Sequence, residues 1–210
     1  GALTTVSRER LWRELRLALA EPRPAEAVEA LAAAGALDVL VGPPRAGDAR
    51  RRCLEEGARL AAADASLDAE LLFLGAVLGE PRARLDGSGL DAERIRRLGA
   101  LAGAAERRER VRDAGSDEER MRALDDAPPE LLALVGLDAE LADAVAAQRR
   151  YRDAPLPFGA LDLGAGEGPH VGDALRAARR ALALGTLDPA DALSFARQQA
   201  KEYLRQRKGK

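Results

Sequence analysis

One cysteine, one histidine, one methionine, one tryptophan, two tyrosines and three phenylalanines are all that these 210 residues hold of their types. With Cys53 alone there is no internal disulfide, so nothing points to a secreted, cross-linked scaffold, and a reducing cytoplasm is the default expectation. With His170 alone, neither a polyhistidine nor a Cys/His metal site can be built. The longest strongly apolar stretch runs from Leu71 to Gly79, bounded by Asp68, Glu70 and Glu80, and falls far short of the roughly 20 residues of a membrane span. No membrane helix is expected. The Val/Ile-rich runs of a buried parallel sheet are missing as well. Gly1-Ala2-Leu3-Thr4-Thr5 carries neither an initiator methionine nor a basic-then-apolar leader, and reads as a cut end.

What is abundant is alanine, at 46 positions. Alanine is the best helix former and a poor strand residue, so the expected fold is all-α, an elongated array of short helices packed through small side chains. Ser7 caps a first helix with the stripe Leu11, Trp12, Leu15 and Leu19, stopped by Glu21-Pro22-Arg23-Pro24. Pro24 opens a second helix with Ala27, Val28, Leu31 and Ala34, ending at Gly35. After Val41-Gly42-Pro43-Pro44-Arg45 comes a tract from Asp48 to Gly79, broken near Ala65-Ser66, then a turn at Asp86-Gly87-Ser88-Gly89. Asp91 to Arg112 reads as helix. Ser116 to Glu119 has the form of a capping box, and Pro129–Val135 and Asp138–Arg152 follow as helices. Pro155-Leu156-Pro157-Phe158-Gly159 is a stiff break. Beyond it, Pro169–Leu184 presents Val171, Leu175, Ala178 and Leu182 on one face, and Asp188-Pro189 opens a terminal helix. The expected divisions are residues 1–45, 46–154 and 155–210.

The tetrapeptide Leu-Asp-Ala-Glu recurs at 67–70, 90–93 and 137–140. As carboxylate pairs these could suggest metal or acid–base chemistry, but an Asp cap followed by Glu at the positive end of a helix explains them as helix starts. Asp125-Asp126 is a cap or terminator on the same reasoning. No Asp-x-Asp occurs, so the paired carboxylates of a two-metal transfer centre are absent. His170, at a predicted helix start, is expected to be exposed or capping, and Cys53 to be a small, buried or half-buried side chain. The segment Ala160-Leu161-Asp162-Leu163-Gly164-Ala165-Gly166-Glu167-Gly168 resembles the glycine-rich first motif of S-adenosylmethionine-dependent methyltransferases, kept as a remote alternative. That fold needs several βαβ units of about 30 residues each after the motif, and the chain beyond Gly168 reads as two helices.

Net charge is −2, yet residues 176 to 210 hold nine Lys/Arg and three Asp/Glu, a local +6 against −8 on the rest. Arg149, Arg150 and Arg152, then Arg176, Arg179 and Arg180, then Arg197, Lys201, Arg205, Arg207, Lys208 and Lys210 supply cations able to displace phosphate counterions. The helix opening after Gly168 adds free backbone N–H groups. RNA is the polyanion this favours, with a solvated charged helix face as the plainer alternative.

Val6-Ser7-Arg8-Glu9-Arg10-Leu11-Trp12-Arg13-Glu14-Leu15 resembles the last of the shared segments of class II tRNA nucleotidyltransferases (CCA-adding enzymes) and bacterial poly(A) polymerases, Ser-x-Glu-Arg-hydrophobic-x-x-Glu-Leu. Pro24 to Leu31 with Gly35-Ala36-Leu37 is similar to the helix pair leading out of that family's neck. Asp162-Leu163 and Gly168-Pro169-His170-Val171-Gly172-Asp173-Ala174-Leu175 resemble an element of its RNA-binding tail, shortened here and with Glu167 where proline is common. The resemblance implies a neck remnant (1–45), a helical body (46–154) and an RNA-binding tail (155–210), without the catalytic head that would use Mg²⁺ with ATP and CTP. The implied parent is a transferase that adds CCA, or adenosine alone, to tRNA or other RNA in the cytoplasm; DNA is not an expected partner. Arg10 and Glu14 would brace the neck, and Arg149, Arg150, Arg152, Gly168, Arg176, Arg179, Arg180, Arg197, Lys201 and Arg205 would contact RNA. This chain alone is expected to hold no catalytic residue, metal or cofactor, and to extend no tRNA. Charge reversal at Arg176, Arg179 and Arg180 is expected to weaken RNA binding and leave helicity unchanged. Two alternatives stand beside it: a stand-alone helical RNA-binding or scaffold module without catalysis, favoured by a native start codon immediately upstream of Gly1, and a helical protein-interaction module that binds no RNA, favoured if acidic side chains of the chain itself occupy the basic surface.

Overall fold

The computed structural model describes residues 6–41, 47–78, 85 and 87–208. The described residues form twelve α-helices and no strand, as an alanine-rich chain without β-branched runs dictates, and the fold is all-α. The helices are α1 (Arg8–Leu19), α2 (Pro24–Ala33), α3 (Ala36–Val41), α4 (Gly47–Ala63), α5 (Ala69–Leu78), α6 (Ala92–Ala102), α7 (Ala104–Arg112), α8 (Asp117–Arg122), α9 (Pro129–Val135), α10 (Ala142–Asp153), α11 (Pro169–Leu184) and α12 (Ala192–Lys208). The break at 42–45, the boundary at 45, and Asp86 of the glycine turn lie outside the described residues. The side chains of Arg207, Lys208 and Lys210 do too.

The caps fall where the sequence places them. Ser7 Oγ accepts from the Arg10 N–H at 3.3 Å and Asp91 from Arg94 at 2.8 Å. Asp68, Asp138 and Asp188 likewise accept from Leu71, Glu140 and Ala190, so all three Leu-Asp-Ala-Glu segments start helices. Ser116 accepts from Glu119, whose carboxylate reaches back to the Gly115 N–H at 2.9 Å, one residue earlier than the usual box. Proline opens α2, α9 and α11. The tract expected as one helix over 91–112 is two, parted at Gly103, where a residue poor in helix preference lets α7 begin anew.

The helices gather into two compact units. The first comprises the described residues up to Arg108 together with Ala127–Val135. Its core takes Leu11, Trp12, Leu15 and Leu19 from α1, the whole expected stripe, with Val28, Leu37, Leu54, Leu71, Leu74, Leu98 and Leu131 from its neighbours. Arginine–carboxylate pairs tie these helices together. Arg50, 4% exposed, reaches Glu29 on α2 at 2.8 Å. Arg94 bonds both Asp68 and Glu70, and Arg16 of α1 also meets Glu70. Glu130, fully buried on α9, accepts from the Asp68 N–H at 3.0 Å and from Arg97 of α6.

The second unit, Glu109–Asp126 with Gly136–Lys210, contains α8, α10, α11 and α12. α11 and α12 pack through Ala174 and Ala178 against Ala196 and Ala200, with Val171 and Leu163 beside them. Met121, Ala147 and Ala183 form a second buried cluster flanked by Tyr151 and Leu184. Of the expected α11 stripe, Val171 and Ala178 are buried; Leu175 and Leu182 are only half-buried, and Ala174 and Ala183 take the deep positions. No described helix is long and apolar enough to cross a membrane.

Candidate nucleic-acid interface

The basic residues expected to contact RNA all lie in the second unit, and the structure divides them by what their charged groups meet. Arg150 Nε donates to the Ala183 carbonyl at 2.8 Å, satisfying an oxygen in the last turn of α11 that no helical N–H reaches. Arg152 donates to the Asp125 carbonyl at 3.1 Å. Burial lowers its pKa from the usual arginine value, and the nearby Asp125, Asp126 and Asp153 oppose that shift. Arg180 pairs with the Asp125 carboxylate and keeps only 11% of its side chain exposed. Tyr151 lies close to both Arg179 and Arg180, their guanidinium carbons 5.8 and 5.6 Å from its ring centroid, within cation–π range. These four arginines hold α10, α11 and the Asp125 turn together. Charge reversal at Arg179 and Arg180 is therefore a stability experiment before it is a binding one, which revises the expectation of unchanged helicity.

Arg176 pairs with Asp173 one turn away, both at the surface. Arg197 clamps the Asp162 carbonyl through Nε at 3.0 Å and Nη2 at 2.8 Å; the carbonyl is uncharged, so Arg197 keeps its full positive charge on an exposed position. Arg149, Lys201 and Arg205 are exposed and meet no acidic side chain among the described residues. Arg197, Lys201 and Arg205 are spaced four residues apart on α12, which puts successive cations about 6 Å apart along one face.

Gly168 stands just before α11 with φ 146°, and a Cβ there would sit 2.9 Å from the His170 ring. The loop before it needs glycine three times: Gly164, Gly166 and Gly168 all have positive φ, which accounts for the glycines that resemble a cofactor loop. Asp162 is part of the same turn, its carboxylate accepting from the Gly159 N–H at 2.7 Å. His170 departs from expectation. It is 5% exposed, and its Nε2–H donates to the Ala165 carbonyl at 3.0 Å, because the glycine loop folds back over the first turn of α11.

In the first unit, Arg10 is exposed and meets no acidic side chain among the described residues, and Glu14 comes only within 3.8 Å of its exposed neighbour Arg13. The bonds that tie α1 to other helices come instead from Arg8, which donates to the carbonyls of Val39 at 3.2 Å and Leu40 at 2.6 Å, and from Arg16. A cleft of about 890 Å³ runs beside α1 between Trp12, Phe73 and Gly87–Gly89, and none of the singled-out residues lines it. Among the described residues no group of three or more His, Cys, Asp or Glu side chains could hold a metal ion.

Sequence reasoning missed Tyr151 and Asp125 as partners of the arginines. The order of residues carried no signal for either, since Asp125 stands 55 positions from Arg180. Comparison with protein families, with curated proteins and with solved structures gave no match to this chain.

Proposed function

We propose that this chain is the RNA-holding helical portion of an RNA nucleotidyltransferase, gripping the backbone of tRNA or another RNA while the transfer chemistry is carried elsewhere. The observation that supports it is the stripe Arg197, Lys201 and Arg205 on the outer face of α12, where no acidic side chain among the described residues covers the charge. Contacts of this kind read phosphate and shape more than base identity. The family assignment within this proposal rests on the segments Ser7–Leu15 and Gly168–Leu175.

The second reading, a helical protein-interaction module, is favoured by the ion pairs that cover Arg176 and Arg180. A fluorescence-anisotropy titration against labelled tRNA lacking its 3′ end, at two salt concentrations and with double-stranded DNA as competitor, separates the two. Binding that weakens steeply with salt and resists the DNA is the expected result. Each phosphate neutralised adds roughly 0.7 to 0.9 to the slope of log K against log salt. The double variant Lys201→Glu/Arg205→Glu should therefore weaken binding and lower that slope by about 1.4 to 1.8. No tRNA binding at low salt, or an unchanged slope in the variant, removes the α12 stripe from any RNA contact.

A further inference from the structure

α12 carries a second stripe, almost opposite the cationic one: Phe195, Gln199 and Tyr203, again four residues apart. Both rings are half-buried, each packing part of its surface on the alanine core of the second unit. The rest of each faces a groove of about 360 Å³ between α11, α12 and α8. On the α11 side the groove is lined by Ala177 and Ala181, whose methyl groups leave room that longer side chains would fill, together with Arg180 and Leu184. Gln199, between the two rings, makes no internal hydrogen bond among the described residues, so its amide offers a donor and an acceptor side by side. Arg180 lines the groove with its charge already balanced by Asp125, and Arg122 by Glu118. The groove is thus aromatic, amide-bearing and close to neutral, unsuited to a phosphate.

We infer that this groove takes one exposed nucleobase, adenine by preference, packed against Phe195 and Tyr203 and read by the Gln199 amide. A glutamine amide matches the adjacent N6 donor and N7 acceptor of adenine in a bidentate pair, and aromatic side chains take up unstacked bases in single-stranded RNA. The inference adds to the RNA-holding reading and rests on it for the source of the base; the base itself is recognised by groups that the cationic stripe does not share.

The test uses the full chain and three ligands: adenosine, a single-stranded RNA decamer with one central adenine among uracils, and the same decamer with an abasic site in place of that adenine. Calorimetric titration should show adenosine binding, and tighter binding of the adenine decamer than of the abasic one. Gln199→Ala should lose about tenfold for the adenine decamer and nothing for the abasic one, with an unchanged salt slope. Ala181→Leu, which fills the groove from α11, should do the same while Lys201→Glu leaves adenosine binding intact. If adenosine binds and neither decamer does, the groove stands as a nucleoside site and RNA as its source falls. Absence of adenosine binding to the unmodified chain, together with equal affinity for the two decamers, overturns the inference, whatever becomes of the variants. RNA binding that depends on Lys201 but not on Gln199 also overturns it, and leaves the RNA-holding reading in place.

Discussion

Replacing Glu130 by alanine should destabilise the first unit more than any change at its surface. Glu130 is fully buried, and its two carboxylate oxygens are shared between the Arg97 guanidinium and the Asp68 backbone N–H. Removing one partner of a buried ion pair costs about 3 to 5 kcal/mol, because the other charge stays buried without compensation. Arg97 retains 21% exposure and recovers some hydration, which places the expected cost near the low end, about 3 kcal/mol. The Asp68 N–H loses its acceptor at the same time, at the first turn of α5. Trp12 is the only tryptophan, 1% exposed in the core of this unit, so its emission follows the unfolding of the first unit alone. With a urea dependence of about 2 kcal/mol per molar, the midpoint should fall by about 1.5 M at unchanged slope. The joint replacement Arg97→Leu/Glu130→Leu, which removes both charges, should recover most of the loss, since a buried pair exchanged for apolar side chains is often neutral or better. A Glu130→Ala midpoint within about 0.2 M of the parent, or a double variant less stable than the single one, refutes the claim that this pair is an interdependent buried unit.

Arg180→Met breaks the pair with Asp125 and the contact with Tyr151, and is expected to lower the stability of the second unit by about 2 kcal/mol, whereas Lys201→Glu should change it by less than about 0.5 kcal/mol; thermal unfolding followed by circular dichroism compares them, and equal losses would contradict the division into structural and free cations. Gly168→Ala puts a methyl group against the His170 ring at a φ that only glycine adopts readily, and should cost about 1 to 3 kcal/mol. The His170 ring resonances in a proton NMR spectrum should shift with it, and an unshifted ring with unchanged stability would show that the loop relaxes freely.

The sequence made the helix limits readable where proline and glycine stand at the ends. Pro129–Val135 and Pro169–Leu184 are found with the limits that proline at the first turn and glycine beyond the last one predict. The α1 stripe was readable too, because Leu11, Trp12, Leu15 and Leu19 keep one helical face and nothing else competes for it. The arginines were not. Helical spacing says which face a side chain leaves from, but an arginine reaches several ångströms further, and whether Asp125 or solvent waits there is decided by elements far away in the chain. His170 was misjudged for a related reason: its position at a helix start is local, whereas its burial depends on how Gly164, Gly166 and Gly168 turn the preceding loop. In the candidate site the charge of the tail was visible and its partition was not.

The alanine seam between α11 and α12 has one more consequence. Ala174, Ala178, Ala196 and Ala200 are each fully buried, and alanine has no rotamers to lose when it is buried. The hairpin therefore closes with no side-chain entropy cost at its centre, and what holds it is the close approach of two backbones and the many weak dispersion contacts this allows. Such a seam has almost no tolerance in either direction. Glycine at any of the four positions loosens the helix and opens a gap, while valine or leucine forces the axes apart. Substitutions that survive at these sites should be confined to side chains of one heavy atom or little more, so that in any set of functional variants drawn from random mutagenesis the four positions should stand out by the narrowness of their sizes, not by their hydrophobicity.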